Sequence, residues 1–253
     1  MSSPRLLHVD IETAPMKAYT FDLWHPIFSI EKIAEPDYIL SWSAKWEGES
    51  KILYAGLNTH TKRQMLKGIY RLLEQCDSVV HYNGVRFDVP MLNREFALLG
   101  LAPPRPFHQI DLYKTVKKNF KFPSNKLAYV AERFGIGSKV QHKGFPLWIG
   151  CMEGDEESWQ TMERYNKQDV VLVSRLYRRL LPWIKNHPNH GLYTDLSRPR
   201  CTNCGSSHVQ RRGMETTKTG VYKRFKCSDC GTPLRGRLTQ TPKARRKNIL
   251  IGG

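Results

Sequence analysis

Two carboxylates stand two residues apart in the stretch LLHVDIETAP, which covers residues 6–15. The stretch is apolar and rich in β-forming residues, and alternate side chains of a strand point to the same face. Asp10 and Glu12 are therefore predicted to lie side by side, with Val9 and Ile11 on the opposite face. Like charges this close repel, and one pKa rises unless a cation lies between them. The pair is either the solvated face of a strand or part of a cation site.

A third carboxylate stands on a long helix predicted for about residues 156–185. Asp169 lies four residues before Val173 and Tyr165 four residues before Asp169, so all three share one side of the helix. Leu176 continues the same stripe toward the core. A carboxylate on a core-facing stripe is costly unless it is paired or binds a metal ion.

Further carboxylates stand at predicted helix starts. Asp88 follows the turn YNGVRF and begins a helix, and Asp111 and Asp155 stand beside two other predicted starts. Helix capping is the simplest interpretation of each residue taken alone. If Asp88 instead joins the carboxylates described above, a set of four would suit two hard divalent cations, which prefer oxygen ligands. That set is Asp10, Glu12, Asp88 and Asp169.

The stretches DIET, YNGVRFDVPML and YNKQD resemble, in this order, the three motifs of the DEDDy group of 3′–5′ exonucleases, within the proofreading-exonuclease superfamily. The resemblance covers about residues 5–185. A sister group carries His five residues before the last Asp, where this chain has Arg164, so the tyrosine class is implied. Stand-alone members of this kind are often encoded by bacteriophages and bacteria.

The resemblance implies an α/β fold of the ribonuclease-H-like type, a mixed five-stranded sheet flanked by helices. It implies two Mg²⁺ or Mn²⁺ ions held by the four carboxylates, with Tyr165 orienting the attacking water. One ion would generate hydroxide and the other would stabilise the leaving 3′ oxygen, releasing 5′-mononucleotides. Two residues of the second motif, Asn83 and Phe87, are the implied nucleic-acid contacts.

Two other segments could touch a nucleic-acid strand. The irregular segment 14–36 carries aromatic side chains that either cap the sheet or stack on a frayed 3′ base, because a π-face accepts any base. Capping is favoured for any single one of Tyr19, Phe21 and Trp24. The predicted loop 138–155 offers three further strand contacts, which are Lys139, His142 and Lys143.

The C-terminal part contains two Cys-x-x-Cys pairs, each followed by Gly. This spacing is typical of a zinc ribbon, in which four thiolates close a structural Zn²⁺ site. The predicted ligands are Cys201, Cys204, Cys227 and Cys230. A pair of redox dithiols is disfavoured because no α/β pattern surrounds them. Three other residues of suitable type are not predicted to bind zinc. His208 is expected on the surface, and Cys76 and Cys151 are expected to be packed in the protein.

The charge of the chain is concentrated near its end. Residues 197–253 carry 14 Lys and Arg against two Asp and Glu, a net of +12 out of the total of +17. Basic residues interleaved with aromatic ones suit phosphate contact and base stacking. The predicted contacts are Tyr222, Lys223, Arg224, Arg245 and Arg246. The alternative is a docking surface for a replication or recombination protein.

The elements that would position these residues alternate between strands and helices, which is typical of an α/β layer with a mixed sheet. Strands are predicted at 5–11, 38–46, 51–57, 78–82 and 107–113, and helices at 61–75, 88–99, 126–136 and 156–185. After residue 188 the helical period ends. An exonuclease domain over residues 1–190 and a basic zinc-ribbon domain over residues 197–253 are therefore expected.

No apolar stretch suits a signal peptide or a membrane span, so a cytoplasmic protein without a membrane partner is expected, in the bacterial host if it is phage-encoded. The predicted function is a metal-dependent 3′–5′ exonuclease acting on DNA, with single-stranded 3′ ends favoured. Two alternatives stay open: the same chemistry on RNA, and a non-catalytic nucleic-acid-binding protein with a relict site.

Overall fold

The structure of the protein is a computed structural model that describes residues 4–22, 24, 29–195 and 197–250. The chain divides into two compact units, one of residues 5–177 and one formed mainly by the residues from Arg178 onward. Within the described ranges, no helix is long and apolar enough to cross a membrane.

The described residues of the larger unit form seven strands and six helices. Its strands are β1 (Leu6–Ala14), β2 (Lys17–Ala18), β3 (Ile33–Glu35), β4 (Tyr38–Trp46), β5 (Ile52–Gly56), β6 (Ser78–His81) and β7 (His108–Asp111). Its helices are α1 (Lys62–Leu73), α2 (Asp88–Leu98), α3 (Leu112–Asn119), α4 (Leu127–Arg133), α5 (Pro146–Glu153) and α6 (Glu156–Leu180), the last of which runs into the second unit. A 3-10 turn at Ile30–Lys32 precedes β3.

The main sheet has five strands in the order β5-β4-β1-β6-β7. Strand β1 lies at its centre, antiparallel to β4 and parallel to β6, while β7 runs parallel to β6 and β5 antiparallel to β4. The sheet is therefore mixed, and the prediction of a mixed five-stranded sheet flanked by helices is confirmed. Strands β2 and β3 pair as a separate two-stranded antiparallel sheet.

Helices cover the sheet because each face carries an apolar layer. Val9 and Ile11 join the layer formed with α1 and α2, which includes Met65, Leu92 and Phe96. The opposite layer packs α5 and α6 on β1 and β4 through Ala14, Leu40, Leu147, Trp159 and Met162. The central strand is thus enclosed on both sides, and polar side chains on it are removed from bulk water.

Several boundaries differ from those predicted. Strand β1 continues past residue 11 to Ala14, with a register shift between Glu12 and Thr13. The prediction of a loop over 138–155 is wrong for its second half, because Pro146 begins helix α5 and Gly154 ends it in the left-handed conformation at φ 84°. Proline fits the first turn of a helix, and glycine adopts a positive φ without strain.

The long helix ends at Leu180 rather than near residue 185, and a 3-10 turn follows at Leu181–Trp183. Pro182 lies in that turn and lacks the backbone N–H that an α-helix would need.

The smaller unit contains an antiparallel sheet in the order β10-β9-β8. Its elements are β8 (Val209–Thr217), β9 (Gly220–Cys227), β10 (Pro233–Thr239) and the short helix α7 (Lys243–Arg246), with a 3-10 turn at His190–Tyr193. The predicted cysteines flank this sheet: two precede β8, one ends β9 and one lies between β9 and β10.

Candidate active site

Three carboxylates meet where β1 passes under helix α6. Asp10 and Glu12 project from β1 on the side away from the layer that buries Val9 and Ile11. Helix α6 crosses this side and contributes Asp169, and one carboxylate oxygen from each of the three lies within 4.8 Å of the others. The strand period of two and the helix stripe, both read from the sequence, account for this convergence.

The three groups are poorly compensated by the protein itself. Burial and repulsion from Asp169 raise the pKa of Glu12 to about 8. Burial, followed by the charges of Asp169 and Glu12, raises the pKa of Asp10 well above its usual range. The Oδ1 atom of Asp169 is buried and has no hydrogen-bond partner within the described part of the chain. Clustered carboxylate oxygens, of which those of Asp169 are buried and those of Asp10 and Glu12 half-buried, with an unsatisfied acceptor fit a divalent cation such as Mg²⁺ or Mn²⁺.

Asp88 approaches the same strand from helix α2. It is the first residue of α2 and does not cap it, because Phe87 holds the N-cap position. Its Oδ1 instead accepts a hydrogen bond from the backbone N–H of Ile11 at 3.2 Å, between the two carboxylates of β1. Burial raises its pKa to about 7. Asp88 stands outside the cluster of three, but its charge also raises the pKa of Asp10 and of Glu12.

Asp111 and Asp155 form the caps that were predicted for them. The side chain of Asp111 accepts from the N–H of Tyr113 at the start of α3, and that of Asp155 accepts from the N–H of Ser158 in α6.

Lys139 supplies a cation at one edge of the cluster. Its Nζ donates hydrogen bonds to Oδ2 of Asp169 at 2.5 Å and to the hydroxyl oxygen of Tyr165 at 2.8 Å. Burial alone lowers the pKa of Lys139, but Asp169 and Tyr165 outweigh it and raise that pKa above its ordinary value. Burial and Asp169 raise the pKa of Tyr165 to about 12, so its hydroxyl keeps its proton at neutral pH. Lys139 was predicted from the sequence as a contact to the nucleic-acid strand, and its bond to a carboxylate was not anticipated.

Two supporting residues were not anticipated from the sequence. Asn166 donates through Nδ2 to Oδ2 of Asp10 at 2.7 Å, and Trp148 donates through Nε1 to Oε2 of Glu12 at 3.2 Å. Asn166 stands inside the quoted stretch YNKQD, so its position was a usable signal. Trp148 lies in the helix that was predicted to be loop, and no local pattern indicated its partner.

A family model described as the RNase_H superfamily matches residues 7–181. This match spans more than half of the chain and contains every carboxylate described above. The chain belongs to the RNase H superfamily.

The fold comparison agrees with that membership. The solved structure of the family B DNA polymerase from the hyperthermophilic archaeon Pyrobaculum calidifontis is similar, with a TM-score of 0.55 and 21% sequence identity. The alignment covers 72% of this chain and 25% of the polymerase, so this RNase H superfamily chain corresponds to about a quarter of that protein's length. A search of curated proteins found no match.

Several predicted nucleic-acid contacts lie on the surface of the RNase H superfamily unit. Asn83 is half-buried and has a positive φ of 68°, and Phe87 is 43% exposed. Tyr19, Phe21 and Trp24 are 76%, 101% and 85% exposed, so the favoured interpretation that they cap the sheet is wrong. His142 does not stand free, because its ring packs edge-on against Trp148 and Tyr165; Lys143 is exposed.

The four cysteines predicted as zinc ligands, Cys201, Cys204, Cys227 and Cys230, lie outside the part matched by the RNase H superfamily model. Their sulfur atoms all lie within 4.8 Å of one another, and the pairs Cys201–Cys230 and Cys204–Cys227 are each 3.6 Å apart. A tetrahedron with Zn–S bonds of about 2.3 Å has S···S edges of about 3.8 Å. The four cysteines therefore fit a structural Zn²⁺ ion.

The two cysteine turns have the same backbone form. Gly205 N–H donates to Cys201 O at 2.9 Å, and Gly231 N–H donates to Cys227 O at 3.1 Å. Both glycines have positive φ, 74° and 78°, which explains why Gly follows each pair. The structure also agrees with the assignments of the other candidates, with His208 exposed and both Cys76 and Cys151 buried.

The predicted basic contacts of the smaller unit lie on its surface. Lys223 and Arg224 are exposed on β9, where Tyr222 is half-buried, and Arg245 and Arg246 are exposed on α7. Arg235 lies over the ring of Tyr222 at 4.7 Å from its centroid. The structure thus brings three of the predicted carboxylates together with Tyr165. The five predicted contacts on β9 and α7 lie in the smaller unit, apart from those carboxylates in the chain.

Proposed function

We propose that this protein is a two-metal-ion-dependent 3′–5′ exonuclease that releases 5′-mononucleotides from single-stranded DNA. The observation that carries the proposal is the convergence of Asp10, Glu12 and Asp169, with Asp88 tied to the strand between the first two. This convergence lies inside a unit that belongs to the RNase H superfamily. DNA is favoured as the substrate because the solved structure of similar fold is a DNA polymerase.

The four carboxylates would hold the metal ions. Divalent ions held there would make a water molecule nucleophilic at neutral pH and would stabilise the negative charge that develops during phosphodiester cleavage. Asn166 fixes the orientation of Asp10, and Trp148 fixes that of Glu12, each through one donated hydrogen bond. Residues that orient metal ligands in this way tune the geometry and basicity of those ligands.

Tyr165 is assigned to the attacking water. Its oxygen already accepts a hydrogen bond from Lys139, and its pKa of about 12 keeps the hydroxyl protonated. The hydroxyl proton can therefore be donated to the oxygen of a water molecule at the cluster, which holds that water in position for attack.

The exposed aromatic side chains that follow β1 support action at a strand end. Tyr19, Phe21 and Trp24 follow the strand that carries Asp10 and Glu12, after the short strand β2, and they are largely exposed. Stacking on aromatic rings tolerates any base and suits an unpaired terminal nucleotide.

The experiment that tests the proposal is digestion of a single-stranded oligonucleotide labelled at either end, with Mg²⁺, Mn²⁺ or no added divalent metal. A 3′ label should appear at once as mononucleotide, while a 5′ label should pass through a ladder of shortening products. Early release of the 5′ label, or cleavage that does not need the metal, would contradict the proposal. The same sequence made as RNA tests the preference for DNA, and equal rates would remove that preference.

A further inference from the structure

A groove with a volume of about 590 Å³ lies beside the second motif, and its charged lining is entirely basic. Arg86 contributes one cation, and Lys114, Lys117 and Lys126 contribute the others. Asn83 and Tyr113 also line it. We call this surface the basic groove.

The cations of the basic groove lack the partners that other cations of the unit possess. Within the described ranges, none of the four forms an ion pair. By contrast, Lys62, Arg94 and Arg105 each bind a carboxylate between 2.6 and 3.0 Å away. Four uncompensated positive charges around one concave surface repel each other and attract a polyanion.

The walls of the basic groove are held in place from behind. Oδ1 of the buried Asp111 accepts the backbone N–H of Asn83 at 2.9 Å and that of Tyr113 at 3.0 Å. The hydroxyl of Tyr82 donates to the carbonyl oxygen of Asn125 at 2.6 Å, and the rings of Tyr82 and Tyr113 pack edge-on. One carboxylate thus joins the turn at residue 83 to the start of α3, so the groove exists before any ligand binds.

The basic groove is continuous along the chain with the candidate active site. Asn83 and Arg86 line the groove, Phe87 is the N-cap of α2, and Asp88 follows it and bonds to β1 beside Asp10 and Glu12. A strand whose 3′ end reaches the carboxylates can therefore extend over this turn toward the lysines of α3.

We infer that the basic groove binds the phosphates of the strand on the 5′ side of the terminal nucleotide, an inference that rests on the proposed function. Lys114 and Lys117 lie three residues apart on α3, where side chains are neighbours about 5–6 Å apart, and their flexible stems can reach successive phosphates. Tyr113 offers a ring for stacking at the same place. Contacts of this kind are independent of base sequence.

The test compares two double variants that remove the same charge. Lys114→Ala/Lys117→Ala removes two cations of the groove, and Lys118→Ala/Lys121→Ala removes two exposed lysines outside its lining. Both variants are expected to fold, because all four lysines are exposed and alanine is a strong helix former at the three positions that lie in α3. The affinity for an oligothymidylate of about ten nucleotides is measured across a salt series without added divalent metal, so that the strand stays intact.

The groove variant should bind about tenfold more weakly, and the slope of log K against log salt should be shallower by about 1.4, because each phosphate contact contributes about 0.7. The control variant should leave the slope unchanged. Equal losses in both variants would overturn the inference. The inference would also be overturned if the groove variant kept the salt slope of the unmodified protein but bound thymidine 5′-monophosphate more weakly. That result would make the groove a site for a single nucleotide.

A kinetic arm separates this inference from the proposed function. With Mg²⁺, the groove variant should show a KM about tenfold higher for the decanucleotide, with unchanged kcat and unchanged hydrolysis of a dinucleotide that cannot reach the groove. If the unmodified protein hydrolyses neither substrate, the proposed function fails. The salt series still decides whether the basic groove binds a strand.

Discussion

Lys139 partly balances the negative charge of the carboxylates around Asp169. Without metal, Lys139 is the cation that bonds to Asp169 and to Tyr165. Lys139→Ala should then lower the free energy of unfolding by about 1.5–3 kcal/mol, the range for a hydrogen bond to a charged group. Saturating Mg²⁺ should reduce this loss because bound cations replace the missing charge.

The measurement is denaturant unfolding with and without Mg²⁺, and Lys143→Ala in the same loop is the matched control. Lys143 is exposed and lies outside the hydrogen bonds of the cluster. Equal destabilisation by the two variants would show that Lys139 does not compensate the carboxylates.

The raised carboxyl pKa values predict an unusual pH dependence for the metal-free protein. Glu12 and Asp88 have folded pKa values of about 8 and about 7, whereas unfolded carboxyls titrate near about 4. Between these limits the folded chain binds more protons than the unfolded chain, so stability falls as pH rises. The thermal midpoint without metal should therefore decrease from pH 6 to pH 8, and Glu12→Gln should flatten the decrease. A midpoint that rises over this window would contradict the assigned pKa directions.

At the scale of elements, the five strands of the main sheet and most of the helices packed on it could be predicted because their apolar periods are regular. The positions of Asp10, Glu12 and Asp169 followed from the same periods. The partners of these residues could not be predicted in that way, because Trp148 meets Glu12 only through the tertiary packing of α5 on β1.

Helix α5 was not predicted because the stretch contains several residues that usually break a helix. Gly144, Pro146, Gly150 and Gly154 together indicate a loop by ordinary local rules. In the structure, Pro146 occupies the first turn, and a Cβ at Gly150 would lie 2.2 Å from Oγ of Ser158 in α6. The central glycine is thus explained by close packing between two helices, which no local pattern reveals.

Helix α5 should matter to activity through one hydrogen bond. Trp148→Phe keeps most of the ring and removes the N–H that binds Glu12, so kcat/KM in Mg²⁺ should fall about tenfold, with a weaker apparent affinity for Mg²⁺. Trp159→Phe is the control, since Trp159 is buried in the same apolar layer but donates no hydrogen bond to the carboxylates within the described chain. Comparable losses in the two variants would point to packing rather than to orientation of Glu12.

At the scale of the whole molecule, the net positive charge is divided unequally between the part that carries the candidate site and the cysteine-bearing part. Residues 197–253 hold +12 of the total of +17, while every carboxylate of the candidate site precedes them. Removing residues 197–253 should therefore leave hydrolysis of a short oligonucleotide at saturating concentration intact. The affinity for single-stranded DNA should fall, and its salt dependence should become shallower.

The comparison uses Asp10→Ala versions of both forms, so that the DNA is not cleaved. A zinc chelator should reproduce part of the effect in the full chain, because a ribbon without its metal unfolds. Equal salt slopes for the two forms would mean that residues 197–253 do not contact DNA. This result would favour a protein-docking role for that segment.

The central claim is that hydrolysis takes place at the carboxylate cluster. Its most direct test is the single-turnover rate at which 5′-labelled single-stranded DNA is cleaved in Mg²⁺. The rate is compared among the unmodified protein, Asp169→Asn and Glu163→Gln. Both substitutions change a carboxylate of α6 to its amide, but Glu163 is a half-exposed residue paired with Lys167 outside the cluster. Asp169→Asn should reduce the rate at least about a thousandfold, equivalent to about 4 kcal/mol of transition-state stabilisation, while Glu163→Gln should keep it. A near-normal rate for a folded Asp169→Asn protein would contradict the account.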